Sequence, residues 1–211
     1  MDLLKRLSRA GNRRVLATLA SLLAAPELHA HGVVDGSNAF LAGLTHPVTA
    51  LEHVLPLLAL GMLAGQRGLR SGEGLIVAFP LAFACGAFGA ALFGGVPDLS
   101  ATNAATALVL GALVALAFGL PRPLLYAVVI VTGTVHGLAN GGAVLGALPA
   151  FIAGATLSAT LLFVYAFGLV DHALRRQKPW LPVTVRAIGS WIAAFGILTV
   201  ALAFSSASPI A

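Results

Sequence analysis

The sequence predicts an all-α membrane protein. The expected architecture is a polytopic bundle of six transmembrane helices, after a signal-like N-terminus, with both mature ends outside the cytoplasm. Composition is the first reason: 59% of the 211 residues are hydrophobic, 9% are charged, and the mean hydropathy is +0.97. Segment length is the second, because six apolar segments each approach the ~20 residues that a helix needs to cross a bilayer. Charge placement is the third, because all seven Lys and Arg residues after residue 30 fall in, or just beside, alternate breaks between those segments.

The first thirty residues are typical of a targeting segment. A basic region precedes the apolar stretch Val15–Ala25, which is too short to cross ~30 Å of hydrocarbon as a helix. Leu28–Ala30 then resembles a small-x-small cleavage site. We expect a signal peptide over residues 1–30 and a transmembrane domain over residues 31–211, starting at His31; an uncleaved anchor is the alternative. The basic residues are Lys5, Arg6, Arg9, Arg13 and Arg14.

The remaining chain alternates between apolar segments and short polar breaks rich in Pro, Gly, Asp and Arg. No break is long enough to hold a second domain. The predicted spans are about 47–66, 74–96, 101–120, 123–142, 146–171 and 184–204.

Basic residues set the orientation of this topology. With residue 31 outside, the loops after the first, third and fifth helices are cytoplasmic, and these loops carry every later Lys and Arg except Arg186, which lies just inside the sixth helix on the same side. The bacterial inner membrane is the expected location. The pI of about 10.4 then reflects orientation in the lipid bilayer and does not indicate a nucleic-acid partner.

Two features narrow the function classes. The single cysteine, Cys85, lies within an apolar segment, which excludes a disulfide framework and a thiolate metal site. The sequence contains no nucleotide-binding motif, so any transport would be driven by ion gradients or membrane potential.

Polar residues cluster at the start of the first span. His46 lies at its outer mouth, with Pro47 in the first turn, where a missing N–H does no harm. His53 is expected on the same face ~10 Å deeper, with Glu52 beside it. Pro56 is expected to kink the helix at Glu52. Because a charged side chain in mid-bilayer costs ~2.5–3.5 kcal/mol, a bound cation is the expected compensation.

The fourth span offers matching groups. His136 and Asn140 are one turn apart and share a face with Thr132, and counting from the outer end puts His136 at about the depth of His53. The two spans therefore predict one intramembrane site. A GxxxGxxxG ridge on the same helix predicts the close approach of another helix; its residues are Gly133, Gly137 and Gly141.

Other polar residues have simpler interpretations. Thr102, Asn103 and Thr106 are expected to cap and pack the third helix, with contact to the site's ligands as the alternative. At the inner end of the fifth helix we expect an ion-pair cluster, formed by Asp171, His172, Arg175 and Arg176.

The two polar segments resemble the signatures of a known family. His46, five residues, then Glu52 and His53 resembles the HX5DH motif of the HupE/UreJ membrane metal permeases, with Glu52 in place of the motif's Asp. The segment 135–141 resembles that family's FHGX(A/V)HGXE motif. There, Asn140 stands in place of the second His and Ala143 in place of the Glu.

The resemblance implies a permease, not an enzyme, that takes up nickel or cobalt for hydrogenase or urease maturation. The ion would be cargo, with no tightly bound cofactor. The expected metal ligands are His46, Glu52, His53, His136 and Asn140, joined by His31 if cleavage exposes its α-amine and imidazole.

Side-chain chemistry alone leaves the metal and the function class more open. Imidazole and carboxylate ligands suit Ni²⁺, Co²⁺, Zn²⁺ or Fe²⁺. One alternative is an intramembrane zinc-dependent hydrolase. The other is a non-transporting scaffold or sensor whose polar cluster only holds helices together.

Overall fold

A computed structural model describes residues 38–93, 96–141 and 147–206 of the chain. Within these ranges the predicted all-α class is confirmed, because every regular element is a helix. The helices are α1 (Ala39–Thr49), α2 (Leu51–Arg67), α3 (Leu69–Gly72), α4 (Leu75–Leu92), α5 (Ser100–Ala115), α6 (Arg122–Gly141), α7 (Leu148–Arg175) and α8 (Trp180–Ser206). The predicted signal peptide, residues 1–30, lies outside the described residues.

Four of these helices, α4, α6, α7 and α8, are long and apolar enough to cross a membrane. The bent pair α1 and α2 provides a fifth span if it is taken as one broken segment. The chain is therefore an integral membrane protein. The predicted third span falls on α5, whose 16 residues reach about 24 Å, so the count of six stays a prediction.

The first span departs most from its prediction. It starts at Ala39 instead of residue 47, and it breaks at Ala50, where α1 and α2 meet at 76°. Ala50 is extended (φ −112°, ψ 119°), and its carbonyl starts α2 by accepting the N–H groups of His53 at 3.0 Å and Val54 at 3.1 Å. Pro47 therefore lies inside α1, not in a first turn.

The prediction of a kink at Glu52 is also wrong about its position. Helix α2 continues through Pro56 to Arg67, and the sharp bend lies six residues earlier, at Ala50. The lost N–H of Pro56 removes one bond to the Glu52 carbonyl, and packing on both sides compensates for it. Pro56 and the residues that follow it, up to Gly65, are almost all buried against neighbouring helices.

Small residues set the distance between α4 and α6, as the glycine ridge predicted. A Cβ on Gly137 would collide with the backbone carbonyl of Phe83, and a Cβ on Gly86 would collide with that of Thr134. Each helix thus uses a glycine to approach the backbone of the other. This contact fixes the position of the residues next to Gly137 on α6.

Helices α1 and α7 meet in the same way. A Cβ on Gly43 would collide with the Phe151 carbonyl, and a Cβ on Gly154 would collide with the Phe40 carbonyl. The break at Ala50 lets α1 make this contact while α2 packs against α5 and a different part of α7.

The core beneath these contacts is aromatic and aliphatic. The rings of Phe79 on α4 and Phe163 on α7 stack with centroids 4.7 Å apart, and Leu57, Leu60 and Leu63 of α2 are fully buried. Helix α2 is therefore the central element of the bundle, and its first turn carries Glu52 and His53.

Polar contacts mark the helix ends. At the end of α7, Arg175 Nε donates to Asp171 Oδ2 at 2.8 Å, and Arg176 Nε donates to His172 Nε2 at 3.2 Å, as the predicted cluster requires. Before α5, the Ser100 hydroxyl and N–H both donate to the Asp98 carboxylate. These bonds hold the pKa of Asp98 below its usual value.

The glycine contacts give a stability prediction. Replacing Gly137 with Ala should destabilise the folded protein by about 1–3 kcal/mol, because the added methyl meets a backbone carbonyl that cannot turn away. Gly168→Ala is the matched control, since a Cβ there meets nothing within 4 Å. It should be neutral or stabilise by about 0.5–1 kcal/mol. Thermal unfolding in detergent measures both, and equal effects of the two substitutions would contradict the close contact.

Candidate metal-ion site within the membrane

Two histidines meet in the interior of the bundle. Nδ1 of His53, in the first turn of α2, lies 3.4 Å from Nδ1 of His136 on α6. Their ring centroids are 5.7 Å apart and the rings are nearly perpendicular. His53 is 4% exposed and His136 is 0% exposed. The structure thus brings together the two imidazoles that depth counting along separate spans had placed at one level.

His46 approaches the pair from α1. Its ring centroid lies 5.9 Å from that of His53 and 5.6 Å from that of Phe151 on α7. The prediction that a continuous helix separates His46 and His53 by ~10 Å is wrong, because the bend at Ala50 turns α1 back toward the first turn of α2.

Glu52 lies on the more open side of the cluster. Its Oε1 is 3.8 Å from Nε2 of His53, and its side chain is 39% exposed. A carboxylate in the first turn of α2 is also favoured by the partial positive charge at a helix N-terminus. Exposure therefore falls steadily from Glu52 to His53 to His136.

Asn140 lies one turn beyond His136 and is fully buried. Its amide nitrogen donates to the His136 carbonyl at 2.7 Å. Its Oδ1 has no hydrogen-bond partner among the described residues, and the same holds for Oδ1 of the buried Asn103 on α5. A buried acceptor without a donor costs ~1–3 kcal/mol, so both oxygens favour a ligand that brings positive charge or a proton.

Helix α5 contributes a contact that the sequence interpretation had ranked second. Thr106 Oγ1 lies 2.9 Å from Nε2 of His136 and 2.7 Å from the carbonyl oxygen of Asn103. Thr106 therefore contacts the site, whereas Thr102 is exposed. The available signal was spacing: Asn103 and Thr106 are i, i+3 and face one way on a mostly apolar helix.

The arrangement offers nitrogen and oxygen donors of the kind that transition metals prefer. Two imidazole nitrogens bound to one metal at ~2.0–2.1 Å lie ~3.0–3.4 Å apart, depending on coordination geometry. The 3.4 Å between the Nδ1 atoms of His53 and His136 fits the upper end of that range. Within the described ranges, no three His, Cys, Asp or Glu side chains converge on one metal position. The predicted ligand His31 lies outside those ranges.

Comparison with known proteins places the chain in a family. Residues 19–199 match the family described as HupE / UreJ protein. The chain belongs to the HupE/UreJ family. It is 30% identical over 189 residues to Protein HupE of Rhizobium leguminosarum bv. viciae, a match that covers 87% of this chain and 95% of that protein. No solved structure matches it.

Family membership confirms the resemblance inferred from the two motifs. In this HupE/UreJ protein, the segments that carry those motifs lie on α1–α2 and on α6, and the contact of His53 with His136 joins them. The matched range includes every site residue described above.

A double-mutant cycle tests this contact. His53→Ala and His136→Ala, made singly and together, should show a coupling free energy of about 0.5–1.5 kcal/mol, as expected for an interhelical hydrogen bond in a membrane protein. Unfolding in detergent with a chelator present measures it without any metal. Pairing His53→Ala with Thr199→Val, whose hydroxyl bonds only to backbone within α8, should give additive effects. Additivity in the histidine pair would show that the two rings do not interact.

Proposed function

We propose that this HupE/UreJ protein is a permease for a divalent transition-metal cation, with nickel the first candidate and cobalt the second. The observation that carries the proposal is the buried contact between His53 and His136, because two imidazoles from different spans offer donor atoms 3.4 Å apart inside a membrane protein. The expected metal ligands are these two residues together with His46, Glu52 and Asn140.

The gradient of exposure supports a path into the site. Glu52 is 39% exposed and carries a carboxylate that attracts a cation at the more open side. His46 lies beside His53 and provides the next imidazole. His53 and the fully buried His136 would then receive the ion. His31 would add an outer ligand pair if the N-terminus is cleaved before it.

The ion is proposed as cargo and not as a resident cofactor. A transported ion must bind well enough to enter and weakly enough to leave. Two close imidazoles, with an amide and a carboxylate nearby, suit such intermediate binding better than a closed four-ligand cage does. No enzymatic step is needed, and the metal would supply hydrogenase or urease maturation.

Membrane potential is a sufficient driving force. Each elementary charge moving inward gains ~2.3 kcal/mol per 100 mV, so a divalent cation gains ~4.6 kcal/mol. At ~1.4 kcal/mol per tenfold, this corresponds to roughly a thousandfold accumulation. The direction follows from the proposed orientation, with both mature ends outside the inner membrane and the basic loops inside.

Nickel uptake into proteoliposomes with an inside-negative potential tests the proposal. The wild-type protein should accumulate nickel, and the double variant Glu52→Gln, His53→Ala should lose at least about tenfold in initial rate, because both the entry carboxylate and a buried ligand are removed. His172→Ala is the matched control, since His172 contacts Arg176 at the far end of α7 and should leave the rate unchanged.

The other outcomes separate the alternatives. Equal uptake by the wild type and the double variant would exclude this cluster as the path. Hydrolysis of a lipid substrate without metal flux would favour the intramembrane hydrolase. A protein with neither flux nor hydrolysis would match the scaffold or sensor.

Competition tests the donor chemistry in the same vesicles. Cobalt in tenfold excess should suppress nickel uptake strongly, because imidazole ligands bind both ions. Magnesium at the same excess should leave uptake nearly unchanged, since Mg²⁺ prefers oxygen ligands and retains its waters. Equal suppression by magnesium would indicate a purely electrostatic path in which the imidazoles are not ligands.

A further inference from the structure

We propose that Thr106 is a positioning residue that fixes the tautomer of His136. It would hold the imidazole proton on Nε2 and so keep the lone pair of Nδ1 aimed at His53. The consequence for cation binding rests on the proposed function, whereas the tautomer itself is a property of the protein without metal.

The Thr106 hydroxyl has one proton and two close neighbours. Its Oγ1 lies 2.7 Å from the Asn103 carbonyl oxygen and 2.9 Å from Nε2 of His136. A carbonyl has no proton, so two oxygens at 2.7 Å require the hydroxyl proton between them. The hydroxyl therefore has no proton left for His136. The hydrogen bond between them requires a proton on Nε2 of His136, which donates it to Thr106 Oγ1.

The other ring nitrogen follows from this assignment. Full burial favours the neutral imidazole, because a buried charge without a partner is costly, and a neutral imidazole carries one N–H. Nδ1 of His136 is therefore an acceptor, and it faces Nδ1 of His53 at 3.4 Å. In the metal-free protein the His53 proton lies on Nδ1 and is donated to His136.

With its proton on Nε2, His136 has a lone pair on Nδ1 that can bind a cation. A metal binds an imidazole through its lone pair, and a ligand histidine is commonly held by a hydrogen bond from its other N–H. Thr106 supplies the acceptor for that hydrogen bond from a third helix. A cation shared by the two Nδ1 atoms would require the His53 proton on Nε2 instead, the nitrogen that lies 3.8 Å from Glu52 Oε1.

Nitrogen NMR of the full-length protein, labelled with ¹⁵N-histidine and kept free of metal, tests the tautomer directly. A His136→Gln variant identifies the His136 signals. The wild type should show a protonated Nε2 and an unprotonated Nδ1, Thr106→Ser should preserve that pattern, and the near-isosteric Thr106→Val should give a mixture of tautomers. Thr199→Val removes a hydroxyl that bonds only to backbone carbonyls and should change nothing.

Nickel binding by the same variants gives the second measurement. Thr106→Val should weaken nickel affinity by about tenfold, while Thr106→Ser and Thr199→Val should stay near the wild-type value. A wild-type His136 protonated on Nδ1 would overturn the proposal even if Thr106→Val fails to fold, and so would an unchanged tautomer in a folded Thr106→Val. The expected tautomers in a protein that does not bind nickel would support this inference and reject the proposed function.

Discussion

Helices in a bilayer gain little by hiding apolar side chains from lipid, so their association depends on close backbone contact and on polar groups that find each other. Here the glycine contacts provide that approach, and they also position the histidines. Gly137 directly follows His136, and Gly43 lies three residues before His46. The contacts that assemble α4 with α6 and α1 with α7 therefore fix two of the three imidazoles, while α2 at the centre carries the third. Packing and site geometry have one common origin.

The buried polar side chains of the bundle are linked by hydrogen bonds, but some of their acceptor atoms have no donor in the described part of the chain. Asn140 donates to the His136 backbone carbonyl, and a hydrogen bond joins the His136 ring to Thr106. Three buried amide oxygens, on Gln66, Asn103 and Asn140, are left without donors among the described residues. A structural network would be expected to satisfy every buried acceptor, because each failure is costly in a low dielectric. The unpaired oxygen of Asn140 lies one turn from His136, whereas that of Gln66 lies near the other end of α2, so unpaired acceptors are not confined to the histidine pair.

The helical fold and the pairing of the two histidines could be predicted from the sequence. Helix rise and the ~30 Å of hydrocarbon are fixed lengths, so counting residues along the spans paired His53 with His136, although the first span starts at Ala39 and not at the predicted residue 47. The break at Ala50 could not be found in this way, since alanine is the best helix former and the prolines on either side drew attention to the wrong positions. The contact of Thr106 with His136 was indicated in the sequence only by the i, i+3 spacing of Thr106 from Asn103. A threonine that bonds to its own helix backbone is common in this protein, and only the packing of α5 against α6 distinguishes Thr106 from Thr199.

Ala50 separates the helix that carries His46 from the helices that carry His53 and His136. His46 belongs to α1, whereas His53 and His136 belong to α2 and α6, so the φ and ψ angles of this single residue set the direction of α1 relative to α2, while the 3.4 Å contact is made between other elements. The backbone on the two sides of the bend at Ala50 also differs in polarity. The carbonyl end of α1 favours positive charge, while the N–H end of α2 favours the Glu52 carboxylate. The position of His46 thus depends on how α1 packs against α7, whereas the geometry of the His53 and His136 pair depends on α2 and α6.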